Sequence, residues 1–309
     1  MYNHRVSSKA FSLTFTQWRH RRRQAIEAWT VLTPSLLYYT LFFAFPVLTT
    51  IILSFTRWSG MSGGPEWVGL TNYRRYLTST IYLQVIGNTL VFAVVILAIQ
   101  MLLAVSVALL LNRKIRGRGV FRAAWYIPSL TSPVVMALIA LTMISPVDGV
   151  INTLLKQANL PPVIIYLRVE LMWLVIIIYS VWRGVGSGVI LYLAALQGIH
   201  PELYEAARVD GASPFQILHS ITLPLLKPVT IFVLVTGIIG SAQIFEAVLF
   251  LSRGGPGNQT NVLMLQIYQD IFTNADMGMA GAGSVILGIL LIAFSIANLR
   301  VMNCGYSGT

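Results

Sequence analysis

The chain has 309 residues, of which 56% are hydrophobic and only 10% are charged, and its mean hydropathy is +0.74. In soluble proteins about a quarter of all residues are charged. This composition therefore excludes a water-soluble chain of two ordinary domains and indicates a membrane protein. A formal net charge of +11 is typical of a nucleic-acid-binding protein when the chain is soluble, but in a membrane protein it needs another explanation.

Six apolar runs are long enough to cross about 30 Å of hydrocarbon as helices, which takes about 20 residues each. They span residues 29–55, 85–111, 123–144, 171–196, 225–251 and 283–301. Two prolines make the third run the least regular. We therefore predict an all-α polytopic membrane protein. It has a basic N-terminal tail over 1–28, six transmembrane helices within 29–302, and a short tail over 303–309.

Lysine and arginine residues divide unequally between the two sides of this bundle. Of the 21 basic residues, 14 lie on the side that holds both termini, mostly before the first run and between the second and third runs. Cytoplasmic loops retain positive charge, so both termini are predicted to be cytoplasmic. The net charge is thereby explained by orientation and by contact with anionic membrane lipid, and nucleic acid is not an expected partner.

The sequence gives no sign of an enzyme active site. It contains no G-x-x-x-x-G-K-[ST] phosphate loop, so ATP binding by that device is not expected. Its four histidines share no metal-ligand spacing, and its single cysteine, Cys304, excludes a cysteine-based metal cluster. We expect no catalytic residue, no bound metal and no cofactor in this chain.

Two charged residues lie inside the apolar runs, Arg183 in the fourth run and Glu246 in the fifth. A charge at the centre of a bilayer costs about 2.5–3.5 kcal/mol, so each is expected to face a cavity, a partner or the other charge. Helical spacing places polar or small residues on the same faces. These residues are Ser180, Gly184 and Ser187 on the fourth run, and Ser241 and Gln243 on the fifth.

The segment between the fourth and fifth runs, residues 198–228, is patterned as two short helices separated by a turn. Gly211 permits the left-handed backbone that ends a helix. Ser213 and Pro214 are typical of the N-cap and first residue of a second helix, and Pro224 stops or kinks that helix. Small residues at the turn and apolar residues beside it suit insertion into a groove of a partner.

The same segment carries a spaced motif, EAA-x3-G-x9-I-x-L-P. The fixed positions are Glu205, Ala206, Ala207, Gly211, Ile221, Leu223 and Pro224. Every one of them matches the pattern of binding-protein-dependent ABC importer permeases, and the motif lies at the matching depth of a six-span protein. The chain therefore resembles that family over most of its length, about residues 29–301.

Further stretches resemble the carbohydrate-uptake permeases of the maltose and glycerol-phosphate type. They include LSFTRW after the first run, GLTNYRRYL at 69–77 and IGSAQIFEAVLFLSRGGPGNQTN at 239–261. Within a pair of permeases, the chain is similar to the first subunit, the maltose F or glycerol-phosphate A type. The maltose F subunit has eight spans and a large external domain, so the resemblance implies the plainer six-span branch and no maltose specificity.

The resemblance implies partners and a location. The partners would be a second homologous permease, two ATP-binding subunits that use ATP and Mg²⁺, and an extracytoplasmic solute-binding protein. The location would be the cytoplasmic membrane of a bacterium or archaeon. Residues 207–215 would form the tip of a coupling helix that docks on an ATP-binding subunit, and Glu205 would brace the loop or pair with a basic partner residue. That tip includes Asp210, Ala212, Ser213, Pro214 and Phe215.

In this family the helices that match the fourth and fifth runs contact the sugar. The resemblance thus implies a sugar, oligosaccharide or glycoside as cargo, with the polar residues of these runs and nearby Trp182 as contacts. Arg183 and Glu246 are equally open to a second interpretation, as a structural ion pair or as support for the second permease. A glycerol-phosphate ester or an amino acid remains an alternative cargo, and an ion-driven transporter or a membrane scaffold remains an alternative function.

Overall fold

The computed structural model describes residues 27–61, 63–113 and 116–303. Within them the protein is almost wholly helical, apart from one two-stranded sheet, and the predicted all-α class is confirmed. Most of the basic tail predicted over 1–28 lies outside the described residues, as do Cys304 and the rest of the short C-terminal tail.

The chain divides into two units, one ending at Leu53 and one beginning at Ser54. The first unit contains a single described helix, α1 (Glu27–Leu53), which matches the first predicted span. Its residues Thr40–Ala44 form a π-helical turn just before Pro46. Proline has no N–H and its ring crowds the carbonyl four residues earlier, so a widened turn accommodates it.

The second unit alternates long apolar helices with short helices outside them. The long helix α3 (Thr80–Leu111) follows β1 (Thr56–Arg57), β2 (Glu66–Trp67) and α2 (Thr71–Thr78). The long helix α7 (Val169–Gln197) follows α4 (Arg118–Leu130), α5 (Pro133–Met143), α6 (Val150–Gln157) and a 3₁₀ turn (Ile165–Leu167). Then come α8 (Pro201–Val209), α9 (Pro214–Ile217), a π-helical turn (Leu218–Thr222), α10 (Leu223–Leu225), α11 (Lys227–Ala242), α12 (Glu246–Leu251), α13 (Leu263–Phe272) and α14 (Met277–Asn303).

Five described helices are long and apolar enough to cross a membrane, and they coincide with five of the six predicted runs. The third run instead forms α4 and α5, which are bent by 100° relative to each other. Pro133 disfavours helical backbone at Ser132, whose ψ is 130°, and this ends α4 before α5 begins. Counted as one broken span, the pair completes the predicted six.

The helix α3 is the central element of the second unit. Its side chains contribute to all four hydrophobic clusters found among the described residues. Phe92 joins the cluster with α5, α7 and α12, Ala108 joins a cluster with α7, and Val85 joins a cluster with α13 and α14. With 32 residues, α3 is about 48 Å long and therefore extends beyond about 30 Å of hydrocarbon.

One layer of the second unit consists of the sheet, α2 and α13. The two strands pair antiparallel with Thr56 opposite Trp67, whose ring stacks on Phe55 at 5.6 Å. The side-chain amide of Asn72 on α2 donates hydrogen bonds to the carbonyl oxygens of Ser54 at 2.9 Å and Thr56 at 2.8 Å. These bonds fix α2 against the first strand.

Asp270 on α13 is a buried carboxylate of this layer, only 1% exposed. Its oxygens accept hydrogen bonds from the Tyr76 hydroxyl at 3.1 Å and from the side-chain amides of Gln266 and Asn274, both at 2.9 Å. Burial raises the pKa of Asp270, and the three donors partly offset this by stabilising the anion. The carboxylate thus connects α2, α13 and the turn that leads to α14.

Substitution of two glycines in α14 tests its packing on this layer. A Cβ at Gly278 would overlap the Thr56 carbonyl oxygen, whereas a Cβ at Gly288 would meet no atom within 4 Å. Gly278→Ala should therefore lower the Tm of the purified protein in detergent, at a cost of about 1–3 kcal/mol. Gly288→Ala, the matched control, should keep or raise the Tm, since alanine is favoured over glycine inside a helix by about 0.5–1 kcal/mol. Equal Tm values for the two variants would contradict this packing.

Asp270 also predicts a pH dependence of stability. Because its pKa is raised in the folded protein, the folded state binds the proton more readily than the unfolded state. The contribution of Asp270 protonation to the free energy of unfolding is therefore complete at pH values below 3.8, the ordinary pKa of an aspartate side chain. This contribution is lost as the pH rises through the raised pKa of Asp270 in the folded protein. Thermal unfolding of Asp270→Asn between pH 4 and pH 7 should show a flatter pH dependence than the wild type. Asp148→Asn, at an exposed carboxylate, is the control, and the same flattening there would contradict the assignment to Asp270.

Candidate functional site

A cavity of about 420 Å³ lies between α3, α7 and the α11–α12 pair. Arg183 lines it from near the middle of the 29-residue helix α7. Gln100 lines it from the interior of α3, and Phe232 lines it from α11. Because the middle of a spanning helix lies near the centre of the bilayer, this is a cavity within the membrane.

Seven of the eight predicted pathway residues line this cavity. They are Ser180, Arg183, Gly184 and Ser187 on α7, and Ser241, Gln243 and Glu246 on the fifth span. The eighth, Trp182, is not among the lining residues and is 43% exposed. Neighbouring residues of an α-helix point about 100° apart, so the face that brings Arg183 to the cavity directs Trp182 away from it.

The fifth span is broken where it meets the cavity. The helix α11 ends at Ala242, residues 243–245 are not helical, and α12 begins at Glu246. The expectation that Gln243 and Glu246 share one helical face is therefore wrong, although both line the cavity. Peptide groups at the ends of helices lack intrahelical partners, and within a membrane such groups are tolerated beside a polar cavity.

The two charges of the cavity do not form an ion pair with each other, which was one of the two interpretations left open by the sequence. Among the described residues, no nitrogen–oxygen contact of 4.0 Å or less connects Arg183 to Glu246. Tyr179 lines the cavity beside them, and its hydroxyl donates a hydrogen bond to the Pro133 carbonyl at 2.7 Å.

The serine hydroxyls of α7 use their protons within the helix. Ser180 donates to the Ile176 carbonyl at 2.7 Å, and Ser187 donates to the Gly184 carbonyl at 2.9 Å. A hydroxyl oxygen that donates its proton still has two lone pairs. Both serines therefore offer acceptors to the cavity, while Arg183 offers donors.

Sequence reasoning missed Gln100, which lines the cavity from α3. Its amide donates a hydrogen bond to the Ser180 carbonyl at 2.9 Å. Over residues 90–111 the only polar side chains are those of Gln100 and Ser106, and a lone amide inside an apolar span is a signal that could have identified it.

The segment between the fourth and fifth spans, residues 198–228, contains the predicted helix–turn–helix. The helix α8 ends in a Schellman motif, in which the Ala212 N–H donates to the Ala207 carbonyl at 2.9 Å and the Gly211 N–H donates to the Arg208 carbonyl at 3.1 Å. Gly211 has φ +79°, the left-handed conformation that this motif requires. The hydroxyl of Ser213 then caps α9 as part of a capping box.

The tip of this segment exposes apolar side chains. Val209 is 87% exposed and Phe215 is 74% exposed, and the Phe215 ring stacks on His219 at 6.0 Å. Glu205 is exposed and forms no ion pair with any described residue. Apolar side chains grouped at an exposed turn are typical of a surface that docks on a partner.

Behind the tip, the chain widens into the π-helical turn Leu218–Thr222 just before Pro224. A normal α-turn would bring the proline ring against the Ser220 carbonyl, and the wider turn relieves that contact. Tyr204 on α8 lies within hydrogen-bond distance of the Thr222 hydroxyl, at 3.4 Å. The two arms of the segment are thereby joined at their base.

Residues 100–302, which contain this segment and most of the cavity lining, match the family model described as the binding-protein-dependent transport system inner membrane component. The chain belongs to this family. The resemblance inferred from the EAA motif is confirmed, and the permease is a transport subunit of the membrane.

Named relatives of the permease transport sugars according to their descriptions. The chain is 34% identical over 280 residues to the arabinooligosaccharides transport system permease protein AraP of Halalkalibacterium halodurans, covering 89% of this chain and 87% of the relative. It is 33% identical to the trehalose/maltose transport system permease protein MalF of Thermococcus litoralis, covering 90% of this chain and 94% of the relative.

A solved structure shares the fold of the permease. It is a chain of a bacterial ABC transporter involved in the import of the acidic polysaccharide alginate. The two chains superpose with a TM-score of 0.80 and are 24% identical in sequence. The alignment covers 93% of this chain and 98% of that one. The permease therefore has the same overall fold as that transporter chain.

The loop of the permease that follows α12 is held against the spans by hydrogen bonds. The side-chain amide of Asn88 on α3 donates to the Gln259 and Asn261 carbonyls at 3.0 and 2.8 Å, and the Trp173 indole of α7 also donates to the Gln259 carbonyl, at 3.1 Å. The Thr89 hydroxyl accepts the N–H of Leu263 at 2.8 Å. The loop therefore connects the N-terminal parts of three helices, α3, α7 and α13.

Proposed function

We propose that the permease forms half of the translocation pathway for a sugar, oligosaccharide or glycoside and couples its passage to ATP hydrolysis by separate subunits. The observation that carries the proposal is the cavity within the membrane, with its mixture of donors, acceptors and apolar walls. The names of the relatives AraP and MalF support a saccharide as the class of cargo.

The lining of the cavity suits a saccharide. A sugar presents hydroxyl groups that both donate and accept hydrogen bonds, and it presents C–H faces that pack on apolar side chains. Arg183 supplies donors and Glu246 supplies acceptors, and bonds to charged groups are about twice as strong as neutral ones. Ile96 on α3 and Phe232 on α11 supply apolar surface. Such a mixture is typical of a specific small-molecule site.

The proposed complex contains a second homologous permease, two ATP-binding subunits and an extracytoplasmic solute-binding protein. In it, this chain binds no cofactor, and ATP and Mg²⁺ are used by the ATP-binding subunits. The family description supports the dependence on a binding protein. The external loop over residues 254–260 is proposed to lie near the surface where that protein docks.

The cytoplasmic segment is proposed to receive the movement of the ATP-binding subunits. Val209 and Phe215 would enter a groove of one such subunit, and Glu205 would pair with one of its basic residues. When the two ATP-binding subunits close, the paired segments approach each other and the permeases rock from inward-open to outward-open. Both termini are proposed to be cytoplasmic, because the basic residues collect on that side.

Replacement of the two cavity charges tests the proposed cargo pathway. In proteoliposomes that contain the complete importer, Arg183→Gln and Glu246→Gln should each reduce saccharide uptake about tenfold, the effect of losing one hydrogen bond to a charged group. Trp182→Phe, outside the cavity on the same helix, is the control and should keep wild-type uptake. Uptake of an amino acid or a glycerol-phosphate ester in place of a saccharide would contradict the cargo class. Uptake that continues after ATP is removed would contradict the ABC mechanism.

The turn of the cytoplasmic segment gives a separate test of coupling. Gly211→Val places a β-branched residue at φ +79° and should abolish uptake, while ATP hydrolysis by the assembled complex continues. Gly211→Asn is the matched control, because asparagine tolerates the left-handed region, and it should retain most of the uptake. ATPase activity and uptake are measured on the same proteoliposomes. Normal uptake by an assembled Gly211→Val complex would refute the assignment.

A further inference from the structure

Gln100 occupies a distinct place in the cavity wall. It is the one amide on α3 that lines the cavity, and it lies opposite the polar face of α7. An amide side chain has two N–H donors and one acceptor oxygen. One N–H is used in the bond to the Ser180 carbonyl at 2.9 Å. No described residue donates to the amide oxygen Oε1, and Oε1 is not among the fully buried polar atoms that lack a partner.

The glycines of α7 make room for this amide. A Cβ at Gly184 would overlap Nε2 of Gln100, and one turn along, a Cβ at Gly188 would lie 2.9 Å from the Ala104 Cβ. The two positions on α7 face two positions with the same four-residue spacing on α3. The absence of a side chain at Gly184 leaves space for the Gln100 amide, and the hydrogen bond to the Ser180 carbonyl holds the amide in that space.

This arrangement determines what the amide can do. With one N–H bonded to the carbonyl, the planar group cannot exchange its oxygen and nitrogen without losing that bond. Oε1 is then a fixed acceptor in the cavity, and Ser180, its anchor, precedes Arg183 by one helical turn. A fixed acceptor pairs with a hydrogen-bond donor, and it rejects a ligand that presents a C–H group there.

We propose that Gln100 is a specificity-determining residue of the cavity, whose Oε1 accepts a hydrogen bond from one hydroxyl group of the saccharide. The proposal rests on the proposed function, since it requires that a saccharide occupies this cavity. It adds a third helix, α3, to the two helices on which the sequence placed the cargo contacts. It also gives Gly184 a definite role, which is to leave space for the amide.

The experiment uses the complete importer in proteoliposomes with a panel of maltose, trehalose, lactose and an arabino-oligosaccharide. The sugar taken up best is then compared with its monodeoxy analogues, each first shown to bind the solute-binding protein. Wild-type importer should disfavour one particular deoxy analogue by about tenfold in KM, the effect of one lost hydrogen bond. Gln100→Met keeps the length of the side chain and removes its acceptor. It should raise the KM of the parent sugar about tenfold and abolish discrimination at that single hydroxyl.

Two further variants separate a contact with cargo from a structural role. Gly184→Ala should reproduce the loss of discrimination, because its methyl group displaces the amide. Ser106→Ala, at an exposed position of the same helix, should keep both the KM and the discrimination. If Gln100→Met lowers uptake of every sugar equally and leaves discrimination unchanged, Gln100 is structural and the inference is overturned. If wild-type importer takes up none of the four sugars, the proposed saccharide cargo itself is contradicted. That outcome differs from the one that overturns the role of Gln100 alone.

Discussion

The close approach of α3 to α7 is the constraint on which the cavity and its surroundings depend. Within lipid, apolar side chains gain little by leaving one apolar environment for another, so helix pairs depend on close packing and on hydrogen bonds between them. Gly184 and Gly188 allow the two backbones to approach, and the Gln100 amide adds a polar bond across the contact. The same contact therefore both stabilises the helix pair and places polar groups beside the cavity.

The cavity and the cytoplasmic segment are consecutive parts of the chain. Helix α7, which carries Arg183, ends one residue before the segment begins, and α11 begins at Lys227, within the last two residues of the segment. The segment is compact, with capped helices and a contact between Tyr204 and Thr222 at its base. It therefore joins two of the helices that line the cavity, α7 and α11.

The parts of the fold and site that the sequence predicted well are those set by the conformational preferences of neighbouring residues. Gly211, Ser213 and Pro224 act within a turn or two of their own positions, so the helix–turn–helix and the long apolar helices could be read directly. The break at 131–132 follows from Pro133, whereas residues 243–245 contain no proline and their break depends on tertiary packing. Gln100 was missed because its partner Ser180 lies 80 residues away. Trp182 does not line the cavity, because proximity in sequence does not establish a shared helical face.

The length of α3 has a mechanical consequence. The helix contains no proline, contributes to every cluster of the second unit, and carries Asn88 to the external loop as well as Gln100 to the cavity. It therefore joins the loop that follows α12 to the wall of the cavity. A tilt of about ten degrees about its midpoint would move each end of a rod about 48 Å long by about 4 Å. A tilt of α3 that displaces Asn88 would thus also rotate the part of the cavity wall that Gln100 lines.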